Sequence, residues 1–248
     1  SRGLGDVYKR QTYMRRIRCV YNKAIEDGDA EYIPGLFQGV FTGVESKRKK
    51  SLSLENQHKL MTVKVESEVL RETQLVVCLL FQYAGMSFVD FAHLKERNIK
   101  NGILDYNRQK TGTPMRLEIL DTAELMRKEL MGDKRPASGY LFPFLSGTKT
   151  GYEAYLEYNA ALSRFNRNLK ALKKAAGIAS DVTSYTIRHS FAMALKEQNV
   201  PIEMISELLG HKSIKTTQIY LRSFSLEKMT EVNSTCFGCV YNYVSKVG

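Results

Sequence analysis

Hydrophobic positions recur at helical spacing along most of this chain and switch to strict alternation once. Ile17, Val20, Tyr21 and Ala24, set among Arg15, Arg16, Arg18 and Lys23, predict a helix over 12–27 that Gly28 stops. Ser53 suits the N-cap of a helix running to Met61. A second helix is predicted over 67–84, with Leu75 to Phe81 as its apolar run and Gly85 suited to its C-cap. A short helix follows over about 88–95. The period then changes to two. Gly102–Lys110 and Met115–Ile119 alternate apolar and polar residues around Thr111-Gly112-Thr113-Pro114, which predicts a β-hairpin in a small sheet starting near Asn98. Helices are predicted again over 122–131, 155–176, 186–198, 202–209 and 213–221, with Pro201 suited to a first turn and Gly210 to the end of the same helix. The pattern gives an α+β fold, mainly α-helical, with a small antiparallel β-sheet at one edge.

The same pattern divides the chain. Residues 1–11 (SRGLGDVYKRQ) carry no initiator Met, no apolar periodicity and no signal-peptide apolar region, and read as a non-native leader outside the fold. Residues 12–50 hold one helix, too little to fold alone, and read as the remnant of a larger N-terminal domain plus a linker with Pro34, Gly35, Gly39 and Gly43. That linker ends in Lys47-Arg48-Lys49-Lys50. A charge run is usually a solvated segment; here it also suits a clamp on backbone phosphate. The main domain spans 51–225, and 226–248 forms a tail whose start, Ser225 to Glu231, suits a helix.

Composition narrows the partners. The 248 residues carry 37 Lys plus Arg against 26 Asp plus Glu, a net charge of +11. Such an excess favours nucleic acid or an anionic membrane face, and charge alone does not choose between them. No apolar run reaches the ~18 residues that a membrane helix needs, so no membrane partner is expected. Cys78 reads as a small core residue, and Cys236-Phe-Gly-Cys239 is a lone CxxC without the second pair a structural zinc needs. No metal and no cofactor are expected, and a reducing bacterial cytoplasm fits better than a disulfide framework.

Four segments carry chemistry. Arg188-His189 opens the first, Leu209-Gly210-His211 the second, Tyr220 stands nine positions after His211, and Lys110 lies upstream in the hairpin. A phosphodiester repels nucleophiles by its charge. Cleavage that must be reversed without an energy source has to store the bond covalently. A tyrosine phenol can attack phosphorus and hold the strand as a phosphotyrosine. Arg and His donors can stabilise the charge that gathers on the non-bridging oxygens. A lysine on a hairpin can protonate the departing 5′ oxygen. Arg, Lys, His and Tyr therefore suffice for transesterification without a metal.

These segments resemble the tyrosine site-specific recombinase, or phage integrase, family. The matching stretches are RHSFA at 188–192, ELLGHKS at 207–213, TTQIYL at 216–221, QKTG at 109–112 and YAGMSFVDFAHLK at 83–95, together covering roughly 52–225. The resemblance implies the family's catalytic-domain fold, with Tyr220 as nucleophile, Arg188 and His211 as phosphate donors and Lys110 as the hairpin lysine. Asp90 matches the acidic residue that braces the site, and His189 takes a supporting place. Residues 12–27 resemble the last helix of a core-binding domain. Two positions depart: Ser87 stands where the family's first arginine is usual, and Tyr185 where a histidine is usual. Both changes resemble integrases of Bacteroides-type mobile elements. A serine cannot supply an arginine's bidentate contact. Arg71, Lys95 and Arg97 are the nearby basic side chains that the sequence offers in compensation.

The resemblance also implies double-stranded DNA as partner, a monomer when free and a homo-tetramer on paired DNA sites. DNA integration by a mobile element or transposon is the activity that follows. Two other readings use the same residues: a non-catalytic DNA-binding integrase fragment, and a DNA-relaxing enzyme of the type IB topoisomerase kind.

Overall fold

A computed structural model describes residues 2–40, 51–134, 139–221, 229–231 and 233–235, with side chains from residue 10 onward and without those of 219 and 220. The basic run Lys47, Arg48, Lys49 and Lys50 lies outside the described residues, as do Cys236 and Cys239 and most of the helix expected at 225–231. The chain divides into two compact units, Ser1–Arg48 and Lys49–Gly248.

The first unit is built on α1 (Arg2–Asp27). The helix begins well before the expected residue 12, because that start was read from apolar periodicity, which the sequence of residues 2–11 does not show, and the stretch holds no proline to stop a helix. Tyr21 closes the unit locally. Its hydroxyl accepts from the Ile33 amide at 2.6 Å and donates to the Glu31 carbonyl at 3.0 Å. Its ring meets Phe37 at 5.7 Å.

The second unit begins with α2 (Leu54–Thr62), α3 (Glu68–Gln82) and the short α4 (Phe88–Ala92). Then come β1 (Ile99–Lys100), β2 (Ile103–Asn107) and β3 (Pro114–Glu118), an antiparallel sheet in the order β1-β2-β3. After it run α5 (Asp121–Met131), α6 (Gly151–Ala175), α7 (Ser184–Glu197), α8 (Ile202–Leu208) and α9 (Ile214–Tyr220). This is the mainly helical architecture with one small antiparallel sheet that the pattern predicts. In this unit two helix limits differ by three residues or more. α4 stops at Ala92, not near 95, because Leu94 and Lys95 turn extended to pair with Leu141 and Tyr140. α6 starts at Gly151, not 155, since its first turn is exposed and carries no apolar stripe.

α3 is the central post. Leu75, Val76, Val77, Leu79 and Leu80 are all 2% exposed or less, and α5, α6 and α7 pack around it. Gln74 is buried in the same post and is satisfied by donating to the Val63 carbonyl at 2.8 Å. An aromatic cluster fixes α4 on this core: Phe88 stacks on Phe165 at 4.7 Å and Phe91 on Phe142 at 4.1 Å. With both rings locked, the turn that carries Ser87 and Asp90 has one position. In the hairpin, Leu104 and Tyr106 of β2 face inward, opposite Leu117 and Met115 of β3. A second, smaller apolar cluster joins Ala192 of α7, Ile205 of α8, Leu209 and Leu221.

Candidate active site

The ends of α4, the hairpin, α7, α8 and α9 surround one cleft of about 650 Å³. Ser87, Arg108, Lys110, Tyr185, Arg188 and His211 all line it. Four of these six stand on the matching stretches, and Tyr185 stands three residues before one of them. Arg108 stands on none of them.

Arg188 sits on the second turn of α7. The helix is started by a capping box in which the Thr183 hydroxyl accepts from the Thr186 amide at 3.3 Å and the Thr186 hydroxyl accepts from the Thr183 amide at 3.2 Å. The Arg188 guanidinium is buried. It donates to the Gly85 carbonyl at 2.8 Å and to the Leu209 carbonyl. Two chain segments, the end of α3 and the end of α8, therefore aim it.

Arg108 comes in from the hairpin and shares the Leu209 carbonyl. Its Nη1 donates there at 3.1 Å and to the Gly210 carbonyl at 3.0 Å, and its Nε lies 3.5 Å from Asp90 Oδ2. Only Nη2 has no protein acceptor among the described residues. Period two puts Arg108 on the face of Leu104 and Tyr106, both of which are buried. A charged residue at an inward position was the signal in the sequence that pointed to it.

Asp90 is 2% exposed and ties the turn that begins α4 to the hairpin. It accepts from the Ser87 hydroxyl at 2.6 Å, from the Gln109 amide at 2.7 Å and from Arg108. Ser87 also accepts from the Asp90 amide at 3.4 Å and so caps α4. Burial and the Asp90 charge together push the hydroxyl of Tyr158, which lines the same cleft, upward in pKa.

His211 follows Gly210, which ends α8 at φ +59 with its amide donating to the Glu207 carbonyl at 2.8 Å. A Cβ at Gly210 would stand 2.4 Å from Met115 Sδ and 2.7 Å from Arg108 Cδ, so glycine lets the hairpin close on this loop. His211 Nδ1 lies 2.8 Å from the hydroxyl of Thr217, a fully buried residue of α9. The imidazole is thereby linked to the helix that ends at Tyr220. The side chain of Tyr220 lies outside what the structure describes.

Lys110 is exposed on the hairpin, and Tyr185 is half exposed. His189 is buried and is not among the residues lining the cleft. Neither are Arg71, Lys95 and Arg97. Arg71 makes a bidentate contact with Glu129 at 2.7 and 2.9 Å, and Lys95 lies 5.3 Å over the Tyr140 ring. The basic group beside Ser87 is Arg108.

What the cleft offers is a buried pair of guanidiniums on one carbonyl, an oriented imidazole and an exposed lysine at the rim. This donor set matches a tetrahedral or trigonal-bipyramidal oxyanion in charge and number.

Comparison with known proteins gives one consistent picture. The model of the phage integrase family matches residues 50–227. Tyrosine recombinase XerA of Pyrococcus furiosus is 32% identical over 177 residues, which is 70% of this chain and 57% of the relative. Tyrosine recombinase XerD of Lacticaseibacillus casei is 52% identical over 54 residues, 22% of this chain and 18% of the relative. This chain thus spans less than two thirds of the length of these curated relatives. Among solved structures, the XerH site-specific recombinase bound to palindromic difH substrate, a post-cleavage complex, has the same fold, with TM-score 0.65 at 19% identity over 92% of this chain and 67% of that one.

Proposed function

The chain belongs to the phage integrase family, and from that membership we propose that it breaks and rejoins double-stranded DNA site-specifically through a 3′-phosphotyrosine on Tyr220. The observation that carries this reading is the convergence of Arg188 and Arg108 on the Leu209 carbonyl, beside His211 and at the foot of the helix that ends in Tyr220.

In this mechanism a backbone phosphate enters the cleft and its non-bridging oxygens meet Arg188, Arg108 and His211. Arg108 takes over the charge that Ser87 cannot supply, approaching from the hairpin instead of from α4. Tyr220 gives up its phenolic proton to solvent as its oxygen bonds to phosphorus, and the bond to the 5′ oxygen breaks. Lys110 gives that oxygen a proton. The 5′ hydroxyl of the same or another strand then attacks the phosphotyrosine and restores the backbone. Asp90 fixes Ser87, the hairpin and Arg108 in one arrangement, so that the site is organised before charge develops. Tyr185 adds one neutral hydrogen bond. The basic run at 47–50 and the net charge of +11 supply backbone attraction outside the cleft. Four protomers act together on two DNA sites, and mobile-element integration is the setting that Ser87 and Tyr185 favour.

A nicked suicide duplex tests this reading. The expected result is a covalent protein–DNA band that disappears in Tyr220→Phe. A gel shift with no adduct would make the chain a DNA-binding fragment. Relaxation of supercoiled plasmid without paired sites would make it a relaxing enzyme.

A further inference from the structure

We propose that Lys196 is a positioning residue for the nucleophile, holding the C-terminal end of α9 and so fixing where Tyr220 stands. The proposal rests on the reading of Tyr220 given above. α9 has seven residues and cannot keep its place by its own hydrogen bonds. It is fastened on both sides of Tyr220. Three residues before, fully buried Thr217 meets His211 at 2.8 Å. One residue after, the Leu221 side chain is 5% exposed in the small cluster with Ala192, Ile205 and Leu209. The Leu221 carbonyl, at the end of the helix, accepts from the ammonium of Lys196.

A cation at a helix C-terminus meets carbonyls without intrahelical partners and the negative end of the dipole, so the contact is favourable twice over. Lys196 is half-buried, and burial lowers its pKa. Partial exclusion of water strengthens the ammonium–carbonyl bond relative to one at the surface. Lys196 also stands eight residues after Arg188 on α7, two turns along one rigid helix. One helix therefore holds both the phosphate-facing guanidinium and the end of the nucleophile's helix, and sets the distance between them.

The test uses the full chain and single-turnover adduct formation on two nicked duplexes. One has the ordinary bridging oxygen. The other has a bridging 5′ sulfur, a leaving group that needs no proton because thiols ionise near pH 8.5. Lys196→Met keeps the length of the side chain and removes the charge. The expected result is an adduct rate about 10- to 100-fold lower on both duplexes, as for an ångström-scale misplacement of a reacting group. DNA affinity and Tm should hold near their original values, and Lys196→Arg should recover most of the rate. Lys110→Ala, in contrast, should be rescued by sulfur. An unchanged rate in Lys196→Met overturns the proposal. So does rescue by sulfur, which would make Lys196 a proton donor, and so does a rate loss matched by lost affinity or Tm. Absence of an adduct from the unsubstituted chain overturns the Tyr220 reading as well, which separates the two failures.

Discussion

Arg108 and Asp90 form a buried pair in which Nε lies 3.5 Å from Oδ2, with the two side chains 9% and 1% exposed. At that distance the hydrogen bond is weak and the attraction is mainly between charges, so other contacts aim the guanidinium. The shorter bonds of Arg108 go to backbone carbonyls at 3.0 and 3.1 Å. The pair joins the hairpin to the turn that begins α4, and it places a cation where Ser87 has none.

Arg108→Ala should therefore lower the adduct rate far more than DNA affinity. Loss of one preorganised donor costs about 2.7–4 kcal/mol, or 10²–10³ in rate. Arg108→Lys should recover little, because an ammonium cannot reach both carbonyls and a phosphate oxygen at once. Adduct formation at the original rate in Arg108→Ala would remove the residue from the mechanism.

Charge at this spot should be portable. An arginine at 87 starts from the turn that Asp90 already braces, so Ser87→Arg should restore part of the rate lost in Arg108→Ala. In the original background the same change should help little or harm, since two guanidiniums would compete for Asp90. The two substitutions should be strongly non-additive in a double-mutant cycle; simple additivity would mean that the two positions do not serve one phosphate.

Most of the framework was legible from pattern. The switch from period 3.6 to period two located the hairpin, and the spacing from Arg188 to His211 to Tyr220 marked the helices around the cleft. Arg108 escaped because alternation marks its position as inward but a lone arginine at a strand's end is ordinarily solvated, whereas the closed hairpin buries it against the loop after α8. Arg71, Lys95 and Arg97 looked equally available by sequence distance alone. Ion pairing with Glu129 and the Tyr140 ring take two of them elsewhere. Thr217 and Lys196 are ordinary helix residues in sequence, and only tertiary contact reveals what each one holds.

Gly210 makes a sharper test of how closely the hairpin must approach. In Gly210→Ala the new Cβ meets Met115 and Arg108 at under 3 Å, and φ +59 adds strain of about 1–2 kcal/mol. Gly112→Ala is the matched control, with φ +65 and open space around its Cβ. Both should lose stability to backbone strain. Only Gly210→Ala should also lose adduct rate beyond that share, and equal rates in the two variants would show that the closeness of hairpin and loop does not matter to chemistry.

Thr217 couples the imidazole to the nucleophile's helix, and its role can be isolated. Thr217→Val keeps the branched shape and fills the same buried space but removes the hydroxyl 2.8 Å from His211 Nδ1. Loss of a buried hydrogen-bond partner costs about 1–3 kcal/mol, so the adduct rate should fall by roughly 5- to 150-fold. Thr217→Ser should retain most of it. The deciding measurement is the same substitution in a His211→Ala background. If the hydroxyl acts by orienting the imidazole, Thr217→Val costs almost nothing once the imidazole is gone. If it costs as much as before, the threonine serves only the packing of α9, and the link between histidine and nucleophile has no catalytic consequence.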